Sequence, residues 1–267
     1  MTLPEDAPAH LADWVDDQQA RGHYTFTRVD ADAAMTKSSS AMTLALGRMV
    51  RRRRLYAPRR GFYVIVPTEY REAGAPPVPW FVDDLMRFED RPYYVGLLSA
   101  ADLFGAAHHA PQRFQVVTNR VLRPFTSGRE RVDFTMNLAV ASVPVLERKT
   151  ATGTMRVSTP AATALDLVRY VHECGGIDSV ATVLSELAEA IEPSALAARV
   201  PDADAAVAQR LGWLFAYIGR NALADSVDEA LLAPRWWVPL TPGAAEAGHP
   251  RDSRWRVVVN TEIEVEA

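Results

Sequence analysis

Arginine is the residue type most concentrated where it could do chemistry. Between Lys37 and Arg60 stand eight basic side chains and no acidic one: Lys37, Arg48, Arg51, Arg52, Arg53, Arg54, Arg59 and Arg60. A guanidinium carries a permanent charge and a planar fork of N–H donors, which suits phosphate oxygens and the edge of guanine. Hydroxyls are interleaved with this run at Ser39, Ser40 and Thr43. Residues 1–66 hold ten Lys/Arg against seven Asp/Glu, a balance of +3, while the remaining 201 residues hold 19 against 26, or −7. A basic segment on an otherwise acidic chain points to a polyanion met by one end only.

Other chemistry finds little support. His108 and His109 are adjacent, so on a helix or strand they point to different sides, and a metal would need distant partners. Cys174 is the single cysteine, which excludes an internal disulfide and a cysteine-built zinc site; it reads as a small core-facing residue. There is no glycine-rich phosphate loop and no nucleophile elbow. Glu262 and Glu264 fall on one face of an expected terminal strand, with Asp252 in the loop before it. Such a pair could hold magnesium in a nuclease, but that chemistry also wants a nearby lysine, and the chain has only Lys37 and Lys149. The carboxylates therefore read as a solvent-facing acidic edge, the first place to look for contacts to a protein partner. No catalytic residue, cofactor or metal is expected.

The elements that position the arginines follow from spacing. Leu11, Trp14, Val15 and Gln18 mark a first helix ending at Arg21-Gly22, and Tyr24 to Thr27 is extended. Asp30 caps a second short helix reaching about Met35, and Ser38 or Ser39 caps a third. In the third, Met42, Ala45, Leu46 and Met49 form one apolar stripe, continued by Val50. Ser40, Thr43, Gly47, Arg51 and Arg54 lie opposite, flanked by Arg48 and Arg52. Leu55–Val66 then reads as a strand, a Pro/Arg/Arg/Gly turn and a second strand. Three helices and a hairpin in this order are the plan of a winged helix-turn-helix, with a recognition helix that docks by one face and meets a major groove by the other. The DNA-contacting set is then Lys37, Ser39, Ser40, Thr43, Arg48, Arg51, Arg52, Arg54, Arg59 and Arg60. Most of the arginines would contact phosphate, Arg59 and Arg60 from the wing; Ser39, Ser40, Thr43 and Arg48 are the candidates for base edges.

The proline-rich stretch 68–79 reads as a linker between a DNA-binding domain at 1–67 and a second domain at 80–267. The second domain opens with a short helix, Trp80–Phe88, and an alanine-rich one, Tyr93–His108. Strands follow at 112–118, 131–136, 143–149 and 154–157. A helix then starts at Ser158-Thr159-Pro160 and ends at Gly175-Gly176. The rest is mainly helical, up to an extended run at 234–240 and a closing strand at 255–264. The fold class is α+β: an N-terminal winged helix-turn-helix, then a larger mixed α/β domain with a mainly antiparallel sheet and a helical C-terminal half. With 48% hydrophobic and 23% charged residues the composition is that of a core-forming globular protein. No apolar run is long enough to cross a bilayer, and Met1–Gln19 does not read as a secretory signal. A cytoplasmic location is the expectation.

An ordered series of segments resembles the AbiEi family of antitoxins, also called type IV antitoxins. It comprises Arg60-Gly61-Phe62-Tyr63, the run from Tyr93 to Ala101, Phe114-Gln115-Val116-Val117, Val157-Ser158-Thr159-Pro160 and Ala164-Leu165-Asp166-Leu167-Val168. Gly175-Gly176, the run from Gln209 to Leu214, and Trp255 to Asn260 with Glu264 complete it. The resemblance implies a winged-helix domain that represses its own operon at promoter repeats. It also implies a C-terminal domain that neutralises a co-encoded nucleotidyltransferase-like toxin, and a protein that regulates rather than catalyses. It assigns no toxin-contacting residue; Tyr94, Leu97 and Leu211 read as packing. Two rivals stay open at this point, a nuclease targeted by a winged helix and a transcription factor whose C-terminal domain senses a small molecule.

Overall fold

A computed structural model describes residues 10–106, 113–232 and 235–264. The chain is mixed α/β with mainly antiparallel strand pairing. Contacts divide it into two compact units, one built from Met1–Tyr94, Gln112–Ala141 and Glu147–Arg156, the other from Val95–Pro111, Ser142–Leu146 and Val157–Ala267.

The first unit begins with α1 (Leu11–Ala20), β1 (Thr25–Thr27), α2 (Arg28–Ala34), α3 (Ser39–Arg51), β2 (Leu55–Arg59) and β3 (Phe62–Ile65). The three strands form one antiparallel sheet in the order β1-β3-β2. Leu11, Val15, Phe26, Ala31, Met35, Met42, Leu46, Met49, Leu55 and Ile65 share one buried core, so all six elements close around it. The cap of α2 is Thr27, not Asp30. Thr27 accepts a hydrogen bond from the Asp30 backbone N–H, and the Asp30 carboxylate reaches back to the Thr27 N–H, a reciprocal capping box. Asp30 therefore stands three residues inside the position expected for it.

Residues 68–79, expected as a linker, hold two short 3-10 turns at Thr68–Tyr70 and Val78–Trp80 and belong to the first unit. Tyr70 and Tyr24 both pack edge-on against Trp80. Then come α4 (Val82–Phe88), β4 (Tyr93–Val95) and α5 (Leu97–Leu103). Here the expected single helix from Tyr93 splits in two. Tyr93-Tyr94-Val95 is a fully buried run of strand-favouring residues, and Gly96 separates it from the helical Leu97–Leu103. The expected histidine pair, His108-His109, lies outside the described residues. Next are β5 (Arg113–Thr118), β6 (Phe125–Ser127), β7 (Glu130–Met136), β8 (Val145–Lys149) and β9 (Thr154–Ser158). The strand order is β6-β7-β5-β4-β9-β8. Within this sheet β5–β7 and β4–β9 are parallel and β6–β7 antiparallel. Strand β6 was not anticipated; Gly128, at φ 61°, makes the tight turn that folds it onto β7.

The second unit is helical through α6 (Pro160–Arg169), α7 (Ile177–Leu187), α8 (Pro193–Ala197), α9 (Ala205–Tyr217) and α10 (Asn221–Ala230). Thr159 caps α6 by accepting from the Ala162 N–H, with Pro160 at the first helical position. Three two-residue strands close the chain, β10 (Val238–Pro239), β11 (Arg251–Asp252) and β12 (Val257–Val258), in the order β10-β12-β11. The expected ten-residue closing strand thus shrinks to two residues. Trp255 turns inward to pack on α9, and Arg256 adopts φ 51°, which ends the alternation. Glu262 and Glu264 consequently share no strand face.

Candidate nucleic-acid interface

Helix α3 is anchored as its spacing dictates: Met42 and Leu46 are essentially inaccessible and Met49 nearly so. Ser38 caps it by accepting from the Ala41 N–H. Its C-terminus closes in a Schellman turn, with Arg53 in the left-handed region at φ 53°, the Arg53 N–H on the Val50 carbonyl and the Arg54 N–H on the Met49 carbonyl. That turn scatters the arginine run. Arg51 ends the helix and Arg52 caps it, both exposed. Arg53 donates to the Glu72 carbonyl at 2.8 Å, and Arg54 pairs with Asp16 of α1.

The outward face of α3 carries Ser40, Thr43, Leu44, Gly47 and Arg51. Ser40, Thr43 and Arg51 are exposed, and Leu44 is 63% exposed despite being apolar. A residue missed by sequence reasoning sits at its centre. Arg28, the first residue of α2, donates to Asp32 at 2.8 Å, to the Thr43 hydroxyl at 2.8 Å, and to the Ser39 carbonyl and hydroxyl at 2.9 and 3.2 Å. One guanidinium therefore fixes α2 against the N-terminal half of α3 and engages two of the hydroxyls expected to face bases. The only sequence signal for it was its i,i+4 spacing to Asp32. Val29 beside it is 75% exposed.

The hairpin tip separates the two arginines expected on a wing. Arg60 is exposed at the turn, where Gly61 supplies φ 88°. Arg59 faces its own chain: it donates to Glu89 at 2.8 Å and to the Arg123 carbonyl at 2.6 Å, and lies over the rings of Phe125 and Phe134 at 4.9 and 5.5 Å. Next to it the Tyr56 hydroxyl donates to the Thr126 carbonyl at 2.6 Å. Burial pushes this phenol up to about 12, with the Arg59 charge opposing, so it stays a donor at neutral pH.

Four of the expected DNA-contacting cations converge elsewhere. Lys37, Arg48, Arg52 and Arg54 line a cleft of about 370 Å³ with Leu11, Ala45 and Met49. Arg48 is thus on the α1 side of α3, whereas Thr43 and Arg51 are on the outward side.

In the second unit the segments of the expected resemblance are packing. Leu97 and Leu211 are fully buried, as is Tyr94 at the end of the first unit's leading segment. Gln209 of α9 donates to the carbonyls of Trp236 and Trp255 at 2.8 and 2.7 Å. The Trp255 ring lies so close to Gly212 that no side chain fits there. Cys174 is buried and its thiol is pushed up to about 12, chiefly by burial, so it is a poor nucleophile. Among the described residues no group of three or more His, Cys, Asp or Glu side chains comes together in a way that could hold a metal ion. None of the described helices is long and apolar enough to cross a membrane.

Residues 94–217 match the family model of the AbiEi antitoxin C-terminal domain. No curated protein matches the sequence. Among solved structures, the crystal structure of the RV2827C protein from Mycobacterium tuberculosis is similar, with a TM-score of 0.64 over 97% of this chain and 95% of that one. At 14% identity that likeness speaks to the fold alone.

Proposed function

We propose that the chain, whose residues 94–217 match the AbiEi antitoxin C-terminal domain, is an antitoxin of that family and also a DNA-binding repressor of its own promoter. Residues 11–65 follow the order of a winged helix-turn-helix, with α2 and α3 as the helix pair and the β2–β3 hairpin as the wing. The observation that carries the reading is the outward face of α3. A helix whose opposite side is fully buried presents Ser40, Thr43, Leu44 and Arg51 to solvent, stiffened by Arg28 and flanked by Arg60 at the hairpin tip. Such a face offers hydrogen-bonding groups and an apolar contact to base edges, while Arg51 and Arg60 reach phosphates. Lys37 just before the helix, Arg48 within it and Arg52 at its C-cap add positive charge. Arg59 holds the wing in place from inside, and Ser39 and Arg54 are likewise engaged within the chain.

The antitoxin role belongs to the larger part of the chain, and its target is a co-encoded nucleotidyltransferase-like toxin. Growth rescue separates the two activities. Co-expression with the toxin restores growth for the native chain and for an Arg51→Glu/Arg60→Glu variant, while the variant alone no longer retards a duplex of the promoter. Loss of rescue in that variant, or unchanged retardation, would overturn the division of labour.

A further inference from the structure

The cleft between α1 and the C-terminal half of α3 is built unlike the rest of the basic face. Its volume, about 370 Å³, falls within the roughly 300–1,000 Å³ of small-molecule clefts. Besides His10 and Ala12, its lining is of two kinds. Leu11, Ala45 and Met49 give an apolar floor, continuous with the core of the first unit. Lys37, Arg48, Arg52 and Arg54 give a cationic rim. Among the described residues Arg54 alone of the four is paired with a carboxylate, Asp16. Lys37, Arg48 and Arg52 therefore line one cleft with no carboxylate partner among the described residues.

A surface that merely touches a DNA strand needs charge but no apolar floor, because a phosphodiester backbone presents oxygens and sugars to the protein. A floor of aliphatic carbon beneath a rim of guanidinium groups fits a ligand with an apolar or planar body and a polyanionic end. We propose that this cleft is a binding site for a small phosphorylated ligand of mononucleotide size, its ring over Leu11, Ala45 and Met49 and its phosphates held by Arg48, Arg52 and Lys37. Because Arg48 and Arg52 are on the helix proposed to meet DNA, an occupied cleft neutralises charge there and weakens operator binding. That competition, unlike the site itself, rests on the DNA-binding reading.

Titration calorimetry on the full chain tests the site directly, with ADP, adenosine and inorganic pyrophosphate as separate probes. The expected result is one ADP per chain, at least tenfold tighter than pyrophosphate, with affinity falling at least tenfold in Arg52→Glu and in Arg48→Glu, both exposed positions that leave the core intact. Equal binding of ADP and pyrophosphate would overturn the apolar half of the proposal. No heat with ADP from a chain that binds promoter duplex would overturn the site and leave the cleft as a phosphate contact for DNA. ADP binding by a chain that binds no duplex would keep the site and remove the repressor reading instead.

Discussion

Truncating Arg59 distinguishes a hairpin that is held from within from one whose two arginines both grip DNA. Arg59→Ala removes an ion pair to Glu89, in which the two side chains are 18% and 22% exposed, a hydrogen bond to the Arg123 carbonyl, and contacts over two phenylalanine rings. Hydrogen bonds to charged groups contribute roughly 1.5–3 kcal/mol each, and cation–π contacts at partly exposed sites about 0.5–1 kcal/mol. These terms are not additive, and the remaining exposure screens the ion pair, so a net loss of about 2–4 kcal/mol is expected. For a chain of this size that lowers the thermal midpoint by roughly 5–15 °C. Arg60→Ala, at the exposed tip of the same turn, leaves the midpoint within about a degree and weakens duplex binding instead. Differential scanning calorimetry of the two variants, with Glu89→Gln and the Arg59→Ala/Glu89→Gln double variant to isolate the pair, makes the measurement. An Arg59→Ala protein with native stability and reduced DNA affinity would refute the assignment.

Three other perturbations probe separate parts of the account. Gly212→Ala puts a Cβ 2.1 Å from the Trp255 ring, so it should cost at least the ~1–3 kcal/mol of an overpacked core, with altered tryptophan fluorescence and faster proteolysis around residues 235–260. Thr27→Ala breaks the capping box of α2 and should cost about 1 kcal/mol, read as faster amide exchange in α2 and in the part of α3 that Arg28 braces. Burial pushes the Asp228 carboxyl up, but hydrogen bonds from Arg235 and Arg254 outweigh it and hold the group below its ordinary range. Its contribution is therefore full above the unfolded value and fades as pH falls through the lower folded one. Asp228→Asn should lower the thermal midpoint at neutral pH, and the difference should close in strong acid; a difference that persists there would contradict the pairing.

What the sequence revealed followed from periodicity, and what it hid followed from tertiary contacts. The stripe Met42/Leu46/Met49, the Ser38 cap and the hairpin around Gly61 are local patterns, and each could be read directly. The run Arg51–Arg54 looked like one patch because sequence carries no direction. A left-handed residue at Arg53 turns the chain, so that Arg51 stays exposed at the helix end, Arg53 reaches the Glu72 carbonyl, and Arg52 and Arg54 line the cleft beside α1. Arg59 and Arg60 are neighbours with opposite fates for a similar reason: the partners of Arg59 lie 30 to 75 residues further on, at Glu89, Arg123, Phe125 and Phe134. Arg28 was overlooked because its partners Ser39 and Thr43 belong to the next helix. Tyr93-Tyr94-Val95 passed for helix because the alanine-rich pattern behind Gly96 extends back through it, although its burial on all three residues is that of a central strand.

Salt dependence of binding to a duplex from the chain's own promoter tests the repressor reading most directly. Lys37, Arg48, Arg51, Arg52 and Arg60 are the basic residues of the α3 and hairpin region with no internal partner among the described residues. If each neutralises one phosphate, log K should fall against log salt with a slope of about −4.5. Arg51→Ala and Arg60→Ala should each reduce that slope by about one, whereas Arg59→Ala should leave it unchanged. A slope near zero, or one that Arg51→Ala and Arg60→Ala leave untouched, would contradict the account.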